Sequence, residues 1–179
     1  LGNKLMSAFL GIDLGTTYSA ISYINVSGRP EIILNKWGEN MTPSCLLFEG
    51  DNVKHVGREA RIQIGLNDHV ASRWKREMGS QEEYIIDGYA HTPTTLSSDL
   101  LRKLFEDATD KIGDIGDVVI TVPANFPHDA RDETKKAAKL ANINLTRIID
   151  EPTAAALYYA LESEWQLNGN YAVYDLGGG

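Results

Sequence analysis

The chain has a single cysteine, no run of about 18 apolar residues and no excess of basic charge, and each lack removes a class of protein. Cys45 alone makes no internal disulfide, which points to a reducing compartment, the cytoplasm. Without a long apolar run, no membrane-spanning helix is expected. The 17 Lys and Arg against 25 Asp and Glu give a formal charge of −8 and a pI near 5.0, whereas a nucleic-acid or anionic-membrane partner needs a basic face. His55, His69, His91 and His128 are scattered without ligand-like spacing, so no zinc site is expected. Neither Gly-x-x-x-x-Gly-Lys-Ser/Thr nor Gly-x-Gly-x-x-Gly occurs, which sets aside Walker loops and Rossmann turns as ways of holding phosphate.

What is present is one short phrase, twice: Phe9-Leu10-Gly11-Ile12-Asp13-Leu14-Gly15-Thr16-Thr17 and Tyr171-Ala172-Val173-Tyr174-Asp175-Leu176-Gly177-Gly178-Gly179. Each is an apolar strand running into an Asp and then a turn of residues without bulk. The strand fixes a carboxylate at its tip, while Gly backbone and Thr hydroxyls offer close-range donors to a phosphate. One copy alone equally describes a buried strand ending in a glycine turn. Two facing each other would hold a nucleotide tail and its metal.

At 179 residues and 42% hydrophobic, the chain suits one domain or a domain with a small appended lobe. Strands are expected at Ala8–Leu14, Tyr18–Val26 and Glu31–Asn35, an antiparallel meander, with a hairpin of Ser44–Glu49 and Asn52–Val56 after a polar loop. Arg58–Leu66 and Val70–Met78 read as helices. Asp87-Gly88 between β-formers marks a second small hairpin, Tyr84–His91. Thr92 then caps a helix that starts at Pro93 and places Leu96, Leu100, Leu104, Ala108 and Ile112 at steps of four. From Val118 the order is strand, helix, strand, helix, strand, with helices at His128–Ala141 and Pro152–Leu161 and a last strand from Tyr171. Val118–Val122, lacking alternation, is expected to be buried on both faces. Meander first and crossovers after make an α/β fold around a mixed five-stranded sheet.

Asp13 and Asp175 suit outer-shell contacts to a magnesium that keeps most of its waters, or equally are turn residues capping local N–H groups. Thr16 and Thr17 are phosphate donors or solvent-facing hydroxyls. Lys75 is a cation for a developing phosphate charge or a basic surface helix end. Glu151, at a helix start, orients water or caps. Pro123 and Arg131 are loop geometry and a surface charge on residue type alone.

Gly11-Ile12-Asp13-Leu14-Gly15-Thr16-Thr17-Tyr18-Ser19, Ile120-Thr121-Val122-Pro123-Ala124, Asp150-Glu151-Pro152-Thr153-Ala154-Ala155-Ala156 and Val173-Tyr174-Asp175-Leu176-Gly177-Gly178-Gly179, in this order, resemble the nucleotide domain of the heat-shock-seventy, DnaK-type chaperones. The resemblance implies an actin-like ATPase (ribonuclease H-like) lobe with a small peripheral α+β subdomain. Residues 1–5, without an apolar core of signal-peptide length, read as a cloning remnant ahead of Met6, and the resemblance divides the rest into a core lobe at 6–35 and 117–179 and a peripheral subdomain at 36–116, with 171–179 opening a second lobe. It implies that Gly15, Thr16, Thr17 and Tyr18 form one phosphate loop and Gly177, Gly178 and Gly179 begin another, binding ATP or ADP. Asp13 and Asp175 then flank hydrated Mg2+, Lys75 meets the γ-phosphate, Glu151 lies near the attacking water, and Pro123 and Arg131 report nucleotide state to a peptide-binding domain. Implied partners are unfolded client peptides, a J-domain co-chaperone and a nucleotide-exchange factor, in a cytoplasmic stress-response protein. Trp74 departs from the family's usual small residue, while Arg76 and Gly79 match. The stretch from Lys75 to Pro123 is shorter than usual, and the second lobe, linker and peptide-binding domain lie beyond this sequence. This chain alone is therefore expected to self-associate, to bind nucleotide weakly and not to turn over. Actin-type filament proteins and sugar or acetate kinases share the phosphate turns and are the rival readings.

Overall fold

A computed structural model describes residues 7–166 and 168–175. In chain order come β1 (Ala8–Asp13), β2 (Tyr18–Ile24), β3 (Pro30–Ile32), β4 (Thr42–Pro43), β5 (Cys45–Glu49), β6 (Asn52–Val56), α1 (Arg58–Arg61) and β7 (Val70–Ser72). A 3-10 turn, Trp74–Glu77, leads to β8 (Tyr84–Ile86), β9 (Tyr89–His91), α2 (Pro93–Ile112), β10 (Ile115–Val122), α3 (His128–Leu140), β11 (Leu145–Asp150) and α4 (Glu151–Glu162).

The main sheet runs β11-β10-β1-β2-β3, with β4 pairing β2 off this path. β1, β10 and β11 are parallel and β2 and β3 antiparallel, so meander and crossovers share the expected mixed sheet, which β4 extends from the expected five strands to six. Parallel pairing brings the tips of β1, β10 and β11 to one edge, with Asp13 beside Thr121 and Val122 beside Asp150. Leu10 and Ile12 of β1 and Val118, Ile120 and Val122 of β10 are buried, and the Leu face of α2 together with Ala137 and Ala138 of α3 completes the core. Val119 and Thr121 are only partly buried, so β10 alternates where burial on both faces was expected. Its second face meets α4, whose small and mostly exposed residues cover it thinly.

α2 starts at the predicted cap. Thr92 Oγ1 accepts the Thr95 N–H at 3.2 Å and Thr95 Oγ1 accepts the Thr92 N–H at 2.9 Å, satisfying two donors that the helix leaves open. The Asp87-Gly88 turn takes positive φ at both residues, as a two-residue hairpin demands.

Two expected helices are corrected. Residues 58–66 form one turn only, because Ala60 alone is buried while Ile62, Ile64 and Leu66 face solvent and give a longer helix nothing to pack against. Residues 70–78 are not an α-helix: β7 adds a third strand to the β5–β6 hairpin, Arg73 turns the chain at φ 62°, and the 3-10 turn follows. The open edge of β5 offers β7 a ladder that outweighs helical periodicity in so short a segment. Residues 171–175, expected as strand, pair with no described strand. Residues 1–5, Met6 and Leu176–Gly179 lie outside the described residues.

Candidate functional site

The edge where the three parallel tips meet carries most of the candidate residues. Asp13 ends β1 with its carboxylate exposed, and Thr121, its register partner on β10, donates from Oγ1 to Asp13 Oδ1 at 2.9 Å. Nothing in the sequence pairs these residues, which stand 108 apart. The turn that follows folds so tightly that a Cβ on Gly15 would sit 1.9 Å from the Tyr18 carbonyl oxygen. Only glycine fits there. Thr16 and Thr17 are partly buried, and among the described residues neither hydroxyl has a hydrogen-bond partner. Tyr18 lies exposed under the Arg61 guanidinium, 4.6 Å from its ring centroid.

Lys75 and Glu151 come together from 76 residues apart, with Lys75 Nζ donating to Glu151 Oε1 at 2.9 Å. Lys75 is only 6% exposed, so it is no surface helix end. Its place is set by its neighbour. Trp74 is buried and donates from Nε1 to Ser97 Oγ of α2 at 3.0 Å, and Ser97 in turn donates to Met78 Sδ at 3.4 Å. On the other side Gly79, at φ 86°, lets the start of α3 approach until an added Cβ would lie 2.7 Å from the Ala130 nitrogen. The turn carrying Lys75 is thus wedged between α2 and α3, and the ammonium also lies 5.5 Å from the Phe126 ring centroid. Glu151 is the first residue of α4, where a carboxylate suits the positive end of the helix.

Pro123 and Arg131 also meet. The Arg131 guanidinium donates to the carbonyls of Pro123, Ala124 and Phe126 at 3.4, 3.2 and 3.2 Å and forms a 2.7 Å ion pair with Asp150. Asp150 and Glu151 are consecutive, so one β11–α4 junction grips the Arg131 clamp with its first carboxylate and Lys75 with its second. Thr121, Asp150 and Phe126 were assigned no role from sequence. Their signal is register and loop closure, which only the folded sheet supplies.

Asp175 is exposed on a segment that lies beside α4, where the Tyr171 and Tyr159 rings are 5.9 Å apart. The described residues do not bring it to Asp13, and Gly177, Gly178 and Gly179 fall outside them. No cluster of three or more His, Cys, Asp or Glu able to hold a metal occurs among the described residues. An exposed strand-tip carboxylate fixed by Thr121 fits a magnesium held chiefly by phosphates and water.

A mixed sheet with parallel core tips, a glycine-threonine turn after the first strand and flanking helices defines an actin-like ATPase lobe. The family described as Hsp70 protein matches residues 9–87 and 81–179, and the chain belongs to that family. It is 39% identical to the chaperone protein DnaK of Deinococcus proteolyticus and 40% identical to that of Deinococcus deserti, each over 97% of this chain and 31% of the relative. The chain therefore spans about a third of the length of these relatives. The filament-protein and sugar- or acetate-kinase readings are not favoured.

Proposed function

We propose that this chain is the first nucleotide-binding lobe of an ATP-dependent protein-folding chaperone whose full-length form hydrolyses ATP to switch a peptide clamp. The observation that carries the proposal is the Lys75–Glu151 pair, a buried ammonium on a partly exposed carboxylate at the start of α4. Membership of the Hsp70 family and the similarity to chaperones named DnaK support it.

In this reading Gly15, Thr16, Thr17 and Tyr18, with Gly177, Gly178 and Gly179, hold the phosphates of ATP or ADP, and Asp13 and Asp175 orient water around hydrated Mg2+. When bound, that ion neutralises phosphate charge. The Lys75 ammonium, shared with Glu151 in this structure, turns toward negative charge building on the transferred phosphoryl group, and Glu151 is then free to orient the attacking water. Pro123, Arg131 and Asp150 carry the nucleotide state toward the peptide-binding domain. Residues 36–116 form the peripheral subdomain of this scheme. Client peptides, a J-domain co-chaperone, an exchange factor, a cytoplasmic location and a role under stress belong to the same proposal.

The test uses the full-length protein: single-turnover ATP hydrolysis with magnesium and with chelator, and release of a fluorescent peptide on adding ATP. Magnesium-dependent hydrolysis with ATP-triggered release is expected. Hydrolysis without any effect on bound peptide would overturn the chaperone role.

A further inference from the structure

Ser19 and Ser44 are 1% and 3% exposed, and both touch Gly15. Ser44 Oγ donates to the Gly15 carbonyl at 2.7 Å. A hydroxyl has one hydrogen to give, so the 3.0 Å contact between the two serines runs from Ser19 to Ser44. Ser19 has then spent its hydrogen and accepts the Gly15 N–H at 3.2 Å. The three bonds close a ring that begins and ends on one residue, holding both backbone groups of Gly15. Each buried hydroxyl in it donates once and accepts once. Ser44 also gives its backbone N–H to the Thr17 carbonyl at 2.9 Å, so it grips the turn at two points. It stands between β4 and β5, and the ring thereby joins the turn after β1 to the three-stranded sheet β6-β5-β7.

We infer that Ser44 is a positioning residue that acts through Gly15, holding the turn of residues 15–18 in the shape that receives phosphate. The inference rests on the phosphate role proposed above for that turn. Preorganisation of this kind raises affinity for the part of the ligand the turn touches and no other part.

The experiment takes the full-length protein and its Ser44→Ala, Ser19→Ala and Ser44→Thr variants, with the Ser19→Ala/Ser44→Ala double variant. Amide exchange of segment 14–19 is followed by mass spectrometry without nucleotide, and ADP and adenosine affinities are measured by calorimetry and competition. Either alanine variant should speed exchange in this segment and weaken ADP by about tenfold, with adenosine unchanged. The double variant should be no worse than the singles, since a ring breaks once, and Ser44→Thr should restore most of the ADP affinity. Unchanged exchange, or equal losses for ADP and adenosine, would overturn the inference. If the unaltered protein binds no ADP, the phosphate assignment is what fails; if it binds ADP and Ser44→Ala binds it equally well, the assignment stands and the positioning role falls.

Discussion

Lys75 reaches Glu151 because the residue before it is anchored: the Trp74 indole fills the core and leaves the next side chain only the strand-tip edge to occupy. Lys75→Ala in the full-length protein should lower single-turnover hydrolysis by a factor on the order of a hundred, about 3 kcal/mol in the barrier, with a smaller effect on ADP affinity. An unchanged hydrolysis rate would take Lys75 out of the chemistry. At this scale, residue type left two readings open for Lys75 and for Arg131, a surface charge or a site group. Burial closes the first question, since a cation 6% exposed and paired with a carboxylate is not a solvated helix end. Arg131 is held by three carbonyls of one loop and by Asp150. Asp150 is 19 residues away, so no local pattern names that partner.

Between elements, carboxylates do much of the joining. Arg131 ties the β10–α3 loop to the end of β11 through Asp150. Arg131→Ala and Asp150→Asn should therefore share one phenotype, with basal hydrolysis retained and ATP-triggered peptide release weakened. Normal release in both would return the pair to simple loop bracing. α2 meets α3 where Thr94 Oγ1 donates to Glu133 Oε2 at 2.6 Å and Lys136 pairs with the other oxygen. The Lys136 hydrogen bond first, and then that of Thr94, hold the Glu133 carboxyl below its ordinary range. A carboxyl whose pKa is depressed by folding contributes stability above its unfolded value, about 4.3, and loses it as pH falls through the folded value. Melting of unaltered protein and Glu133→Gln should differ at neutral pH and converge as pH drops below about 4. A gap independent of pH would show that packing, not charge, joins the helices there. The elements legible in the sequence were those with a sustained period or a defined cap: the β1–β2–β3 meander, both hairpins, α2, α3 and α4. Residues 58–78 were not, because Ala60 and Ile64, four apart, imitate one helical face although Ile64 lies in solvent, and because β7 is made by an edge of β5 that the sequence does not display.

For the molecule as a whole, exposed apolar side chains are spread over the surface, and one group of them lies on α4 and just beyond it. Leu157, Tyr158 and Tyr159 are each about half exposed, and the exposed Trp165, Tyr171 and Tyr174 follow in the chain, with the Tyr171 ring against Tyr159. Exposed apolar side chains in such number favour association with another surface. The 179-residue chain taken alone should self-associate and bind ATP at millimolar strength or weaker. A clean monomer by sedimentation at tens of micromolar, or micromolar ATP binding by calorimetry, would contradict the respective half. The parallel edge has one more consequence, in the order of events during synthesis. Asp13 leaves the ribosome early, yet its partner Thr121 follows 108 residues later, a wait of about 5–20 s at ordinary elongation rates. Glu151, which completes the pair with Lys75, comes later still. The turn at Gly15 can close on Ser44 soon after it emerges, but the strand-tip edge cannot assemble until the last parallel strand has docked, so a nascent chain that grips ATP through this edge has already finished building its sheet.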